Sequence, residues 1–126
     1  MNIPLKTNNR ATVVAVDFDG CLVVDRYPSI GQENDNLFRT LIKFRGVGGK
    51  VILWTCRSGE LLEMAVRYCA ALGLEFDAVN ENLPELIAAF GTDPRKIGAD
   101  CYIDDKAAKI VWNSRPVERR RKGADI

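Results

Sequence analysis

In the stretch TVVAVDFDGCLV, residues 12–23, a run of branched apolar residues ends in two carboxylates one residue apart, Asp17 and Asp19, and Gly20 follows at once. A second apolar run, 51–54, is followed by Thr55 and Arg57, and another, 101–103, by Asp104 and Asp105. The chain contains no histidine, which excludes Ser-His-Asp and Cys-His catalysis, HExxH zinc sites and imidazole proton shuttles. Chemistry must run on carboxylates, lysine, hydroxyls or thiols, and a metal is expected to be a hard cation held by oxygen. Four carboxylates gathered in one place would repel and raise one another's pKa values unless a cation neutralised them. A divalent ion beside a hydroxyl, an arginine and a nearby lysine suits a phosphate group. The cations take the charge of the phosphoryl oxygens, Thr55 donates a hydrogen bond, and a free Asp oxygen can attack phosphorus. Gly20 would let the backbone turn sharply and approach the substrate without a side chain in the way.

For these residues to meet, the chain must bring the ends of several apolar runs to one edge. The runs are 12–16, 51–54, 76–79, 101–103 and 110–112, and the first two are continuous rather than alternating, as strands covered on both faces are. Between the first two, Leu37, Phe38, Leu41, Ile42 and Phe44 recur at helical spacing until the glycines of 46–49 end the pattern. Between the next two, Leu61, Leu62, Ala65, Val66, Cys69 and Leu72 do the same, with Ser58 or Gly59 to start the helix and Gly73 to stop it. Pro84, the apolar 86–90 and Gly91 predict a shorter third helix. Strands alternating with helices predict an α/β domain: a doubly wound parallel sheet with helices on both faces, joined by right-handed crossovers. In such sheets ligands bind at the carboxyl ends of the strands, where Asp17, Asp19, Thr55, Arg57, Asp104 and Asp105 would lie.

At 126 residues, 47% of them apolar and 28% charged, the chain is sized and composed for one domain with its own core. That core is expected at about 11–113, with a basic tail over 114–126. The net charge of +1 makes no general case for a nucleic-acid partner. No window resembles a signal peptide or a membrane span, so a cytoplasmic protein is expected. Cys21, Cys56, Cys69 and Cys101 form no CxxC pair, and most sit in or beside apolar runs, where a reduced cysteine packs as a small hydrophobe.

These motifs in this order resemble the haloacid dehalogenase superfamily of phosphohydrolases. VVAVDFDGCLV is similar to its first motif, a hydrophobic strand followed by DxD; VILWT to its second; Lys96 in DPRKIGAD to its third; and CYIDD to its fourth, over residues 12–105. The resemblance implies a Rossmann-like core in which Asp17 is the nucleophile that forms an aspartyl-phosphate. Asp19 would be the acid that protonates the leaving alcohol and then activates water, since phosphate monoesters leave poorly without a proton on the departing oxygen. Thr55 and Lys96 would hold phosphoryl oxygens. Mg2+ would be held by Asp17, the backbone carbonyl of Asp19 and Asp104, with Asp105 a ligand directly or through water. Cys21 departs from the family's usual threonine or valine. Arg57, two after Thr55, echoes the Ser-x-Arg of polynucleotide kinase phosphatase domains and would clamp phosphate bidentately, or else be an ordinary solvated arginine.

Other signals carry less. An EF-hand reading of DxDG fails, because Leu22 and Pro28 stand where Gly and Glu are required. Arg95, Lys106 and Lys109 compete with Lys96 as the phosphate-binding cation. Asp100 reads as a turn or capping residue, and Asn80, Glu81 and Asn82 as a solvated turn or part of the substrate mouth. Five basic residues in 115–122 could bind nucleic acid, although a charged terminus is more often frayed. Only a loop of about 24–33 is left outside the expected helix and strand between Asp19 and Thr55, so no cap domain fits. The open site implies a bulky phosphorylated substrate, or a lid from DRYPSIGQEN or from a partner subunit in a homo-oligomer. The substrate would be a small phosphomonoester or a 3'-phosphorylated nucleic-acid end. A phosphate- or metal-binding regulatory module without turnover is the reading from a different class.

Overall fold

The computed structural model of the protein describes residues 10–112. The basic run 115–122 lies outside them. Four strands form a parallel sheet in the order β5-β4-β1-β6: β1 (Val13–Val16), β4 (Lys50–Leu53), β5 (Ala78–Val79) and β6 (Cys101–Ile103). Three helices flank it: α1 (Asp35–Gly46), α2 (Gly59–Ala71) and α3 (Pro84–Phe90). A separate antiparallel hairpin pairs β2 (Val23–Arg26) with β3 (Ser29–Glu33).

Because side chains alternate across a strand, each strand feeds two cores. Val14 and Val16 of β1 and Val51 and Leu53 of β4 pack with Leu37, Phe38, Leu41 and Phe44 of α1 and with Ala65 and Cys69 of α2. Ala15, Ile52 and Ala78 form a smaller cluster with Leu83 and Ile97, next to α3. This accounts for the continuous apolar runs of β1 and β4, which are covered on both sides. α1 starts where the Asn34 side chain accepts the Leu37 N–H at 3.2 Å, and α3 ends at Gly91 in the left-handed conformation. No helix among the described residues is long and apolar enough to cross a membrane.

Two expectations are corrected. The loop expected over 24–33 is the β2–β3 hairpin. Its strands are mostly exposed and polar, so no apolar alternation marks them, and their closeness depends on Gly31, where a Cβ would lie 1.9 Å from the Val24 carbonyl oxygen. Residues 110–112, read as an apolar run of strand type, form no strand. Ile110, Val111 and Trp112 are 71%, 85% and 80% exposed, since no described element covers them.

The third expected strand is shortened to Ala78–Val79 by Asp77. Its carboxylate takes Arg45 by two hydrogen bonds, at 2.9 and 3.1 Å, and the Val51 N–H at 2.8 Å. Asp100 does the work of a cap at the other end of the sheet, accepting the Val13 N–H at 2.8 Å while its own N–H donates to the Val13 carbonyl.

Candidate active site

The strand order puts the carboxyl ends of β4, β1 and β6 side by side, and a pocket of about 670 Å3 opens there. Asp17 and Asp19 after β1, Thr55 after β4 and Asp104 after β6 all line it, together with Lys106. Asp17 is anchored at its backbone by donation to the Ile103 carbonyl, and its Oδ1 accepts the Phe18 N–H at 2.8 Å. Burial pushes the Asp17 carboxyl up to about 6, and the charges of Asp104, Asp105 and Asp19 add to the rise.

Asp105 lies on the other side of Asp17. One ligand atom each from Asp17, Cys21 and Asp105 fall within 4.8 Å of one another. Gly20 makes this possible: its φ is +91°, and a Cβ there would sit 2.3 Å from Asp105 Oδ2. The glycine thus serves the approach of a carboxylate. The donor set fits a hard divalent cation, with carboxylate oxygens from Asp17 and Asp105 converging and Asp104 in the same pocket. The Cys21 thiol is a weak contributor, because burial and the neighbouring acids push it up to about 11 and so keep it protonated. All four cysteines are free.

Thr55 is positioned from both sides. Its N–H donates to Asn80 Oδ1 at 2.8 Å, and its Oγ1 accepts the Arg57 N–H at 3.1 Å, which leaves the hydroxyl proton to be donated elsewhere. Asn80 is therefore part of the scaffold of the site, held at a φ of 55° that asparagine tolerates better than most residues.

Arg57 is neither a phosphate clamp nor a solvated loop residue. It is 1% exposed. Nε and Nη2 each donate to one Asp19 oxygen at 2.8 Å, while the other donors reach the Ser29 carbonyl at 2.8 Å and the Pro28 carbonyl at 3.2 Å. Its guanidinium lies 4.9 Å from the Phe18 ring centre and 5.2 Å from that of Tyr27. Arg57 thus joins Asp19 to the tip of the hairpin, and its fork is spent inside the protein. Both Asp19 oxygens accept from Arg57, and Asp19 is not part of the Asp17, Cys21 and Asp105 cluster.

Lys96 is not among the residues that line the pocket. Its Nζ is 5.9 Å from the centre of the Tyr102 ring, on a loop held by the fully buried Asn82. The Asn82 side chain donates to Asp93, to the Pro94 carbonyl at 2.9 Å and to the Lys96 carbonyl at 3.4 Å, and it accepts the Gly98 N–H. The cation in the pocket is Lys106, whose N–H donates to Asp104 Oδ1 at 2.9 Å and whose ammonium meets Asp105 Oδ2 at 3.4 Å. Sequence reasoning also missed Tyr27 and Trp54, two large exposed aromatic side chains on the pocket wall.

Comparison with families of known proteins gives no match to any family model, and none to the curated proteins. Among solved structures, a conserved protein from Bacteroides thetaiotaomicron is similar at 41% identity and a TM-score of 0.70, over 82% of this chain and 84% of that one. At that identity over that span, the chain belongs to the same family as the Bacteroides thetaiotaomicron protein.

Proposed function

We propose that the protein is a magnesium-dependent phosphomonoesterase with a doubly wound, haloacid dehalogenase-like core and no cap domain. The observation that carries this reading is the meeting of Asp17, Asp19, Thr55 and Asp104 in one pocket at the strand ends. The fold reading is supported by the strand order, in which β4 and β5 extend to one side of β1 and β6 lies on the other.

On this reading an Asp17 oxygen attacks phosphorus, the bond to the leaving oxygen breaks, and Asp19 gives that oxygen a proton. Water then attacks the aspartyl-phosphate while Asp19 takes its proton, which releases phosphate and restores both carboxyl groups. With its carboxyl near 6, Asp17 is largely ionised at neutral pH and available as a nucleophile. Thr55 donates its hydroxyl to a phosphoryl oxygen, and Lys106 offers the nearest ammonium. Asp17, Asp104, Asp105 and the Asp19 carbonyl would hold Mg2+, which, when bound, offsets the charge of the phosphoryl oxygens. For proton transfer, one Asp19 oxygen must turn from Arg57, take up a proton from water and present it to the leaving oxygen; the proton taken later from the attacking water restores that state.

That last requirement favours a second reading, a phosphate- or metal-binding module without turnover, in which Asp19 stays on Arg57. The polynucleotide-end reading loses the support of Arg57, which has no donor left to clamp a phosphate. Hydrolysis of p-nitrophenyl phosphate with and without magnesium, beside Asp17→Asn and Asp19→Asn, separates the first two. A magnesium-dependent rate lost in both variants supports the enzyme, and a wild-type rate equal to theirs removes it.

A further inference from the structure

The pocket has a carboxylate floor and an aromatic wall, and the phosphate chemistry uses none of the wall. Tyr27 is 56% exposed and Trp54 is 39% exposed, although aromatic side chains of this size are usually covered. Neither ring is loose. Trp54 follows β4 on the same face as Ile52, and its N–H donates to the Val16 carbonyl at 2.9 Å. Its ring lies 5.8 Å from that of Tyr102, which is paired in register with the small Ala15 and hydrogen-bonded through its hydroxyl to the Ile97 carbonyl. Tyr27 rests on the guanidinium of Arg57, itself immobilised by five hydrogen bonds. Each ring is braced from inside the protein and open on the pocket side.

We infer that this wall stacks a nucleobase, so that the substrate's leaving group is a nucleoside. The inference rests on the phosphomonoesterase reading for the place of the phosphate. The leaving oxygen must lie at Asp19, and Tyr27 and Trp54 line the same pocket, so a group attached to that oxygen shares the pocket with the two rings. A sugar can lie against one ring through its C–H face, whereas a base stacks through a flat π-face on either side. The two rings line the same pocket as Asp17 and Asp19, and both are exposed. The ammonium of Lys106, which lines the pocket, suits the phosphate of a mononucleotide or of a nucleic-acid end.

The experiment compares adenosine 5'-monophosphate with ribose 5-phosphate, which carry the same phosphoester and differ in the base. The expected result is a kcat/KM about tenfold higher for the nucleotide, mainly through KM, with that ratio lost in Trp54→Ala and Tyr27→Ala, where each variant's nucleotide rate is compared with its own ribose 5-phosphate rate. Trp54→Leu and Tyr27→Leu keep apolar bulk should the alanine variants fail to fold. A further arm sets adenosine 3'-monophosphate against a 3'-phosphorylated oligonucleotide; preference for either over ribose 5-phosphate supports base stacking and identifies its source. Equal rates with and without the base overturn the inference, as does a stronger preference for phosphotyrosine. In Trp112→Phe, Trp54 is the sole tryptophan, and its fluorescence should be quenched by adenosine 5'-monophosphate but not by ribose 5-phosphate. Should no phosphoester be hydrolysed, the enzyme reading falls, and this binding signal alone decides: quenching upholds the base site and its absence overturns it.

Discussion

The guanidinium of Arg57 takes both carboxylate oxygens of Asp19, each at 2.8 Å, from a position with 0% of its side chain exposed against 16% for Asp19. The same arginine holds the carbonyls of Pro28 and Ser29, so the hairpin tip and the Asp19 carboxylate share one anchor.

Arg57→Gln therefore leaves a carboxylate without its counter-charge, and the fold should lose about 3 kcal/mol in chemical denaturation. If Arg57 positions Asp19, the loss of activity depends on the leaving group. It should be on the order of 100-fold for an alkyl phosphate, which needs the acid, and small for dinitrophenyl phosphate, which does not. An equal loss for both esters would reduce Arg57 to a purely structural role. Arg57→Lys, which keeps the charge but loses the fork, should fall between.

The raised pKa of Asp17 has a defined sign in stability. Its folded value of about 6 exceeds its ordinary 3.8, so in that window the folded state holds a proton that the unfolded chain has released. The contribution is fully present below about pH 4 and is lost as the pH rises through about 6. In chelator, Asp17→Asn should melt above wild type at neutral pH, and the difference should close as the pH falls to about 4. The effect is small, because Asp17 is partly solvated. Magnesium at neutral pH should raise the wild-type Tm by mass action and leave that of Asp17→Asn unmoved.

Gly20 and Gly48 both have positive φ, +91° and +100°, but only Gly20 has a neighbour in the way. Gly48→Ala should cost only its backbone conformation, about 1 kcal/mol. Gly20→Ala must also displace the Asp105 carboxylate, so it should cost about 2–3 kcal/mol. It should also weaken magnesium binding measured by calorimetry, which Gly48→Ala should not change. Equal effects in the two variants would mean that Asp105 has room to move.

Asp77→Ala removes the partner of Arg45 and of the Val51 N–H, at an expected cost of about 2–3 kcal/mol near neutral pH. Burial raises the Asp77 carboxyl, but the Arg45 hydrogen bonds and the Val51 N–H outweigh it and hold the group below its ordinary 3.8. Its stabilisation is present above about pH 4 and is lost as the pH falls through the lowered value. Urea titrations of wild type and Asp77→Asn should converge as the pH falls through that lowered value; a gap that persists once the carboxyl is protonated would assign the effect to packing.

Much of this protein can be read along the chain, because its main signals are local. The apolar runs of β1 and β4, the helical spacing of α1 and α2 and the breaking glycines reflect backbone periodicity and burial, which neighbouring residues express directly. The order of carboxylates, hydroxyl and carboxylates at successive strand ends likewise follows from the alternation of strand and helix. The hairpin β2–β3 escaped, since its residues are mostly solvated and carry no apolar alternation. Residues 110–112 misled for the converse reason: apolar side chains make a buried strand only when something covers them.

What only the tertiary structure decided is where each long or polar side chain spends its hydrogen bonds. Arg57 and Asp19 are 38 residues apart, and nothing near either in sequence says that a guanidinium will turn inward to a carboxylate rather than outward to a phosphate. Asn82 looked like part of a turn, yet it is fully buried and holds the loop of Lys96 away from the pocket that Lys106 lines. The sequence by itself determined which groups arrive at the sheet edge, because strand periodicity and crossover geometry dictate that placement. Which of them remain free to act was decided by long-range pairing, since a buried charge or amide must find a partner wherever the fold supplies one.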